Sequence, residues 1–156
     1  MNRSSTLHAN PGIAALGLDI GRKRIGVAGC DRLGLMASGL TTIYRQSFNQ
    51  VVAELAELVQ ERQAEVLVIG LPLTVAGEEG AQAKQVRRMA TGLSKALNLP
   101  VVYIDERFTS LEAEELIRNQ GGSVQADKGL VDRKAAALIL QRWLDERPRT
   151  EQDGIF

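Results

Sequence analysis

Three places in this chain put acids where packing alone would not. Asp19 falls inside the apolar run Gly17-Leu18-Asp19-Ile20, and Asp105 and Glu106 directly follow Val101-Val102-Tyr103-Ile104. Asp132 sits in the middle of a helical stripe, since at about 100° per residue Ala136, Ile139 and Trp143 fall within roughly 40° of it. A carboxylate among buried residues is costly unless a metal, a donor network or a cation offsets its desolvation. Carboxylates converging on one edge raise each other's pKa unless a divalent cation is shared, and oxygen-only ligands favour Mg²⁺ or Mn²⁺ over zinc. Such a centre suits phosphodiester hydrolysis, in which metal activates a water and stabilises the leaving oxygen.

Each acid also has a local role open to it. Asp19 can make an Asx-type turn into Gly21, Asp132 can cap a helix starting at Arg133, and Asp105-Glu106-Arg107 can form a strand-end ion pair. Cations adjoin every acid: Arg22, Lys23 and Arg24 after Asp19, Arg107 after Glu106, and Lys128, Arg133 and Lys134 around Asp132. Clustered at a metal edge they would bind phosphates electrostatically, with affinity falling as salt rises. Lys84, Arg87 and Arg88 form a further group that reads equally as a solvated helix face. Aromatic content of 4% leaves few stacking platforms, so recognition of backbone or duplex shape fits better than base-specific reading of single strands. The loop after Gly70-Leu71-Pro72-Leu73 carries Gly77 and Gly80, which read either as a flap over substrate or simply as turn residues, and no Gly-Lys-Ser/Thr follows to make a Walker loop.

The elements that must position these groups follow from periodicity. Ile13 to Ile20, Arg24 to Cys30 and Met36 to Ile43 read as a three-stranded antiparallel meander. From Ser47 the period becomes helical, with Val51, Val52, Leu55, Leu58 and Val59 inward. Val66 to Gly70 and Val101 to Ile104 read as strands covered on both faces. A helix stopping before Pro100 separates them, and helices over roughly Ser110 to Asn119 and through Trp143 to Pro148 follow. The expected fold is therefore α/β, a mixed five-stranded sheet in which an antiparallel meander is joined by two parallel strands, with helices on both faces. The later strands, being parallel, deliver their C-terminal ends to one edge, where sites form at topological switch points.

Composition sets the bounds. A chain of 156 residues fits one domain, expected over 13–147, between a flexible tail at 1–12 and a polar tail at 148–156. Hydrophobic content of 44% with 24% charged residues is that of an ordinary soluble protein, and the apolar runs are too short to span a bilayer. The N-terminal ten residues lack the apolar core of a secretory signal, which predicts a cytoplasmic protein, either monomer or homodimer. One Cys and one His exclude a disulfide within the chain and a Cys/His zinc site. Nineteen cations against nineteen anions deny the bulk basicity of a general nucleic-acid binder, leaving local patches to carry any such binding.

With the residues laid out, GLDIGRKRIGVA, GLPLTVAGEEG, VVYIDERFTS and KGLVDRKAAALIL resemble, in this order, the motifs of the bacterial YqgF family. Its members are described as Holliday junction resolvases and as nucleases maturing the 5′ end of pre-16S ribosomal RNA. The resemblance runs from about Ala15 to Leu144. It implies an RNase H-like sheet, an acidic triad of Asp19, Glu106 and Asp132 binding Mg²⁺ or Mn²⁺, and Asp105 as an auxiliary. It further implies a nucleic-acid partner, either a ribosomal RNA precursor or branched DNA. The chain departs from the pattern at Cys30, at the cations Arg133 and Lys134, and at Gly70-Leu71-Pro72, where better-known resolvases carry an acid.

Two other function classes stand beside the nuclease. Actin-like and sugar-kinase ATPases also begin with Asp-x-Gly after a strand, but they need a second such unit to clamp nucleotide, and this chain lacks one. A non-catalytic RNase H-like module contacting ribosome or transcription machinery fits the zero net charge and the cations beside Asp132.

Overall fold

The computed structural model describes residues 13–107, 109–121 and 127–147. The two tails, Phe108 and residues 122–126 of the glycine-containing segment before Lys128 lie outside the described residues. Five strands, β1 (Ala15–Ile20), β2 (Arg24–Cys30), β3 (Ala37–Tyr44), β4 (Val66–Leu71) and β5 (Val101–Asp105), form one sheet in the order β3-β2-β1-β4-β5. The first three pair antiparallel, while β4 pairs parallel with both β1 and β5. The mixed sheet expected from the sequence is thus present, with β3 placed one residue later than its apolar pattern suggested.

Alternation sorts the side chains onto two unlike faces. Leu16, Leu18, Ile20, Ile25, Val27, Leu67 and Ile69 face one core, covered by helices α1 (Phe48–Arg62) and α2 (Ala81–Leu97) through Val51, Leu55, Val86, Ala90 and Leu93. Ala15, Ala28, Val66, Val68 and Ile104 face the other, covered by α4 (Lys128–Glu146) through Ala136, Ile139, Leu140 and Leu144. Helix α3 (Thr109–Asn119) lies against α4, burying Ala113 and Ile117.

Helix α1 begins where the sequence changes period because Ser47 and Gln50 form a reciprocal capping box. The Gln50 amide N–H donates to Ser47 Oγ at 3.0 Å, and the Gln50 side chain accepts from the Ser47 N–H at 3.3 Å. Ser47→Ala is expected to cost about 1 kcal/mol, read as a lowered urea midpoint with an unchanged slope. Helix α2 ends at Asn98, whose left-handed backbone (φ 57°) turns the chain before Pro100.

On the α4 side the sheet carries glycines at Gly17, Gly26, Gly39 and Gly70, all in strands or at their pairing positions. A Cβ on Gly26 would overlap the Asp132 carbonyl, and one on Gly17 would lie 2.7 Å from Leu140 Cβ. At these positions helix α4 therefore packs directly against the sheet backbone, beside the side-chain core that it shares with β1, β2, β4 and β5.

Candidate active site

The alternation that builds the α4 face also delivers the acids. Along β1, Ala15, Gly17 and Asp19 share it, and Asp19 pairs across the ladder with Gly26. Along β5, Val102 and Ile104 share it, and Glu106 continues the series just beyond the strand. Asp105 belongs by the same parity to the other face. Strands β1, β4 and β5 run parallel, so Asp19 and Glu106 stand at one edge.

Strand β4 separates them, and at roughly 4.8 Å per strand spacing the two backbones are about two spacings apart. Gly70 removes the obstacle: a Cβ there would lie 2.9 Å from Glu106 Cδ and 2.5 Å from Ile139 Cδ1. Glu106 thus lies over Gly70 and its carboxyl hydrogen-bonds that of Asp19. The Glu106 N–H, donating to the Leu71 carbonyl at 3.2 Å, fixes the start of this reach.

Both carboxyls are pushed upward. Burial, then the charge and hydrogen bond of Asp19, raise Glu106 to about 9. Burial also raises Asp19, to about 6, against the lowering effect of the Glu106 hydrogen bond, while the nearby Asp132 charge raises it further and Arg24 lowers it. The two behave as one pair holding a proton between them at neutral pH.

Asp132 lies on the second turn of α4, not at its N-cap, because the helix begins four residues earlier at Lys128. Its carboxylate is close enough for its charge to act on Asp19, yet Arg24 Nε donates to Oδ2 at 2.6 Å. The cation that neutralises Asp132 therefore comes from β2. Neighbouring Arg133 turns instead toward β3, donating to Thr42 Oγ1 at 3.2 Å. Asp105 is engaged by Arg107, whose Nη2 lies 2.7 Å from Oδ2, and this ion pair with its hydrogen bonds lowers the Asp105 pKa. Arg107 also donates to the Val75 carbonyl at 3.3 Å, tying the glycine loop to the end of β5.

The turn residues Arg22 and Lys23 are exposed, as is Lys128, whereas Lys134 is half-buried. Arg45, which the sequence did not single out, braces that turn: its Nη1 donates to the Gly21 carbonyl at 2.5 Å and its backbone N–H to the Lys23 carbonyl at 2.8 Å. Arg142 likewise holds the end of β5 from α4, donating to the Asp105 carbonyl at 2.6 Å. Gly26 and Gly70 were missed as site-shaping residues, although a glycine inside a strand is a readable sign of close approach.

Among the described residues, no three His, Cys, Asp or Glu side chains lie close enough together to hold a metal ion. The two carboxyls that do meet, Asp19 and Glu106, form an all-oxygen donor set that suits a hard divalent cation, which would take the place of the shared proton. The donor chemistry fits such an ion.

A mixed sheet in this order, flanked by helices on both faces, defines an RNase H-like α/β fold, here with buried carboxylates at the parallel-strand edge. The fold is similar to T. thermophilus RuvC in complex with Holliday junction substrate, with a TM-score of 0.55 at 15% identity, covering 86% of this chain and 97% of that one. It is similar also to the Fowlpox virus resolvase in its complex with Holliday junction DNA, with a TM-score of 0.52 at 10% identity, covering 85% and 97%.

The chain belongs to the RuvX family, described as Holliday junction resolvase, which it matches over residues 13–146. A relative from Synechococcus elongatus, named "Putative pre-16S rRNA nuclease", is 60% identical over 144 residues, 92% of this chain and 97% of the relative. One of the same name from Thermosynechococcus vestitus is 57% identical over 138 residues, 88% and 91% of the two chains. No helix among the described residues is long and apolar enough to cross a membrane.

Proposed function

We propose that this protein is a metal-dependent endonuclease that cuts structured RNA and matures the 5′ end of pre-16S ribosomal RNA. The observation that carries this reading is the meeting of the Asp19 and Glu106 carboxyls over Gly70, at the edge where the parallel strands β1, β4 and β5 end. The names of the relatives support the choice of RNA.

Asp19 and Glu106 would supply the oxygen donors for Mg²⁺ or Mn²⁺, which would contribute water activation and charge stabilisation when bound, and Asp132 would join them only on release from Arg24. Arg24 holds Asp132 in place between β2 and α4. Arg22 and Lys23 on one side of the acids, and Lys128, Arg133 and Lys134 on the other, receive the phosphates that flank the cut. Arg107 contributes indirectly, by fastening the loop at Val75. Asp105 keeps Arg107 in that position and serves the centre as a supporting acid.

Purified protein with Mn²⁺ is expected to cut a pre-16S 5′-leader RNA, and Asp19→Asn is expected not to. Cleavage surviving in Asp19→Asn sinks the carboxylate centre. Cleavage of a four-way DNA junction in preference to the leader redirects the reading to branched DNA, the substrate in the family's description. Tight RNA binding with no cleavage of either favours the non-catalytic module, the reading to which the Arg24–Asp132 pair lends weight.

A further inference from the structure

Asp19 faces α4, but the residue after it faces the other way. Ile20 and Gly21 open onto a groove of about 350 Å³ between the β1–β2 turn and the N-terminal half of α2. Its apolar lining comes from Ile20, Val86 and Met89, the first two buried. Its polar lining residues are Arg22, Arg45, Arg88, Gln82 and Gln85. No carboxylate lines it.

These arginines are not equivalent. Arg45 is half-buried, with Nη1 on the Gly21 carbonyl and Nη2 3.8 Å from Met89 Sδ, so it forms part of the groove's frame. Arg22 and Arg88 are exposed. Arg87, next on the same helix, is committed elsewhere: it forms two hydrogen bonds of 2.7 Å to Glu79 and its guanidinium lies 4.5 Å from the centre of the Tyr103 ring. The cation that α2 contributes to the groove is therefore Arg88.

Guanidinium groups beside an apolar floor, with amides between them, match the parts of a nucleotide: phosphate, base face and base edge. The volume is at the small end of the range for ligand pockets, roughly 300–1,000 Å³, a size that suits one unpaired nucleotide. The groove begins at Ile20, the residue after Asp19, about 3.4 Å along extended chain, so it adjoins the edge at which the acids stand. We propose that it binds the single-stranded nucleotide flanking the scissile phosphate, so that cutting takes place where paired nucleic acid gives way to an unpaired strand. The identity of the occupant rests on the nuclease reading above; the groove and its charge do not.

The test uses a fluorescently labelled RNA duplex, blunt or carrying a short single-stranded overhang, with binding to the full chain followed by anisotropy in EDTA. Arg88→Ala is expected to weaken overhang binding about fivefold and to lower its salt slope by about 1, leaving blunt duplex unaffected. Gln85→Ala is expected to weaken overhang binding without altering the salt slope, since it carries no charge. Equal losses on both duplexes, or none on either, overturn the proposal. Cleavage by the parent protein separates the two readings. A parent that cuts while Arg88→Ala binds overhangs normally sinks the groove alone; a parent that never cuts, with overhang binding lost in Arg88→Ala, sinks the nuclease alone.

Discussion

Glu106→Gln is expected to be inactive and yet more heat-stable than the parent protein at pH 8. The carboxyl of Glu106 is raised to about 9 and that of Asp19 to about 6, first by burial and then by each other's proximity. Both lie above their unfolded values, so the native state binds more protons than the unfolded one. Their contribution to stability is complete below about pH 4, and it is lost as pH rises through 6 toward 9. A glutamine amide can donate to Asp19 as the protonated acid does, and it loses nothing as pH rises. The gain at pH 8 should be on the order of a few kcal/mol, and at pH 4 close to zero.

Cleavage in the same variant should fall by roughly 10³-fold, the value of losing several kcal/mol of metal-derived stabilisation. Calorimetry at the two pH values checks the first half and initial rates the second. Mn²⁺ should raise the melting temperature of the parent at pH 8 and have much less effect on the variant, since only an ion held by the pair stabilises by mass action. A variant less stable than the parent at pH 8 as well as at pH 4 would show that the pair is not under the strain described.

Gly26→Val is expected to destabilise by about 3 kcal/mol or more, the upper range for overpacking, because the obstacle is backbone and cannot rotate away. The added carbon meets the carbonyl and Cβ of Asp132, so the change also pushes that acid away from Asp19. Gly80→Ala is the control: its Cβ meets only Thr74 Cγ2 at 3.5 Å, an ordinary contact, and the cost should stay below about 1 kcal/mol. Urea midpoints decide between them. If Gly26→Ala is as mild as Gly80→Ala, α4 is free to shift and the close packing described does not fix it.

The strands and helices were readable because each buries a clear stripe: β4 is apolar throughout, and α2 repeats Val86, Ala90 and Leu93. Asp19 was readable for the opposite reason, an acid where the pattern asks for none. The choice between Asp105 and Glu106 was also within reach, since Val102 and Ile104 set the parity that carries on to Glu106. What the sequence does not show is how Glu106 meets Asp19: the reach across Gly70 of β4 appears only when strand order is known. The Arg24–Asp132 pair was less accessible, as its members are 108 residues apart and Arg133 and Lys134 stood closer in sequence. The start of α4 at Lys128 was missed because Asp132 offered a ready cap and the true N-cap, Asp127, makes no side-chain capping bond.

The unlike faces of the sheet divide what evolution or an engineer can change. Beneath α1 and α2, side chain meets side chain, and a Leu or Val exchanged there can be answered by repacking its neighbours. Beneath α4, at Gly17, Gly26 and Gly39, main chain meets the backbone and Cβ atoms of the helix, which no rotamer change can move aside. Heat tolerance can therefore be tuned on one side of the molecule while the spacing of Asp19 and Asp132 is kept on the other, like a lock whose case can be rebuilt without recutting the key.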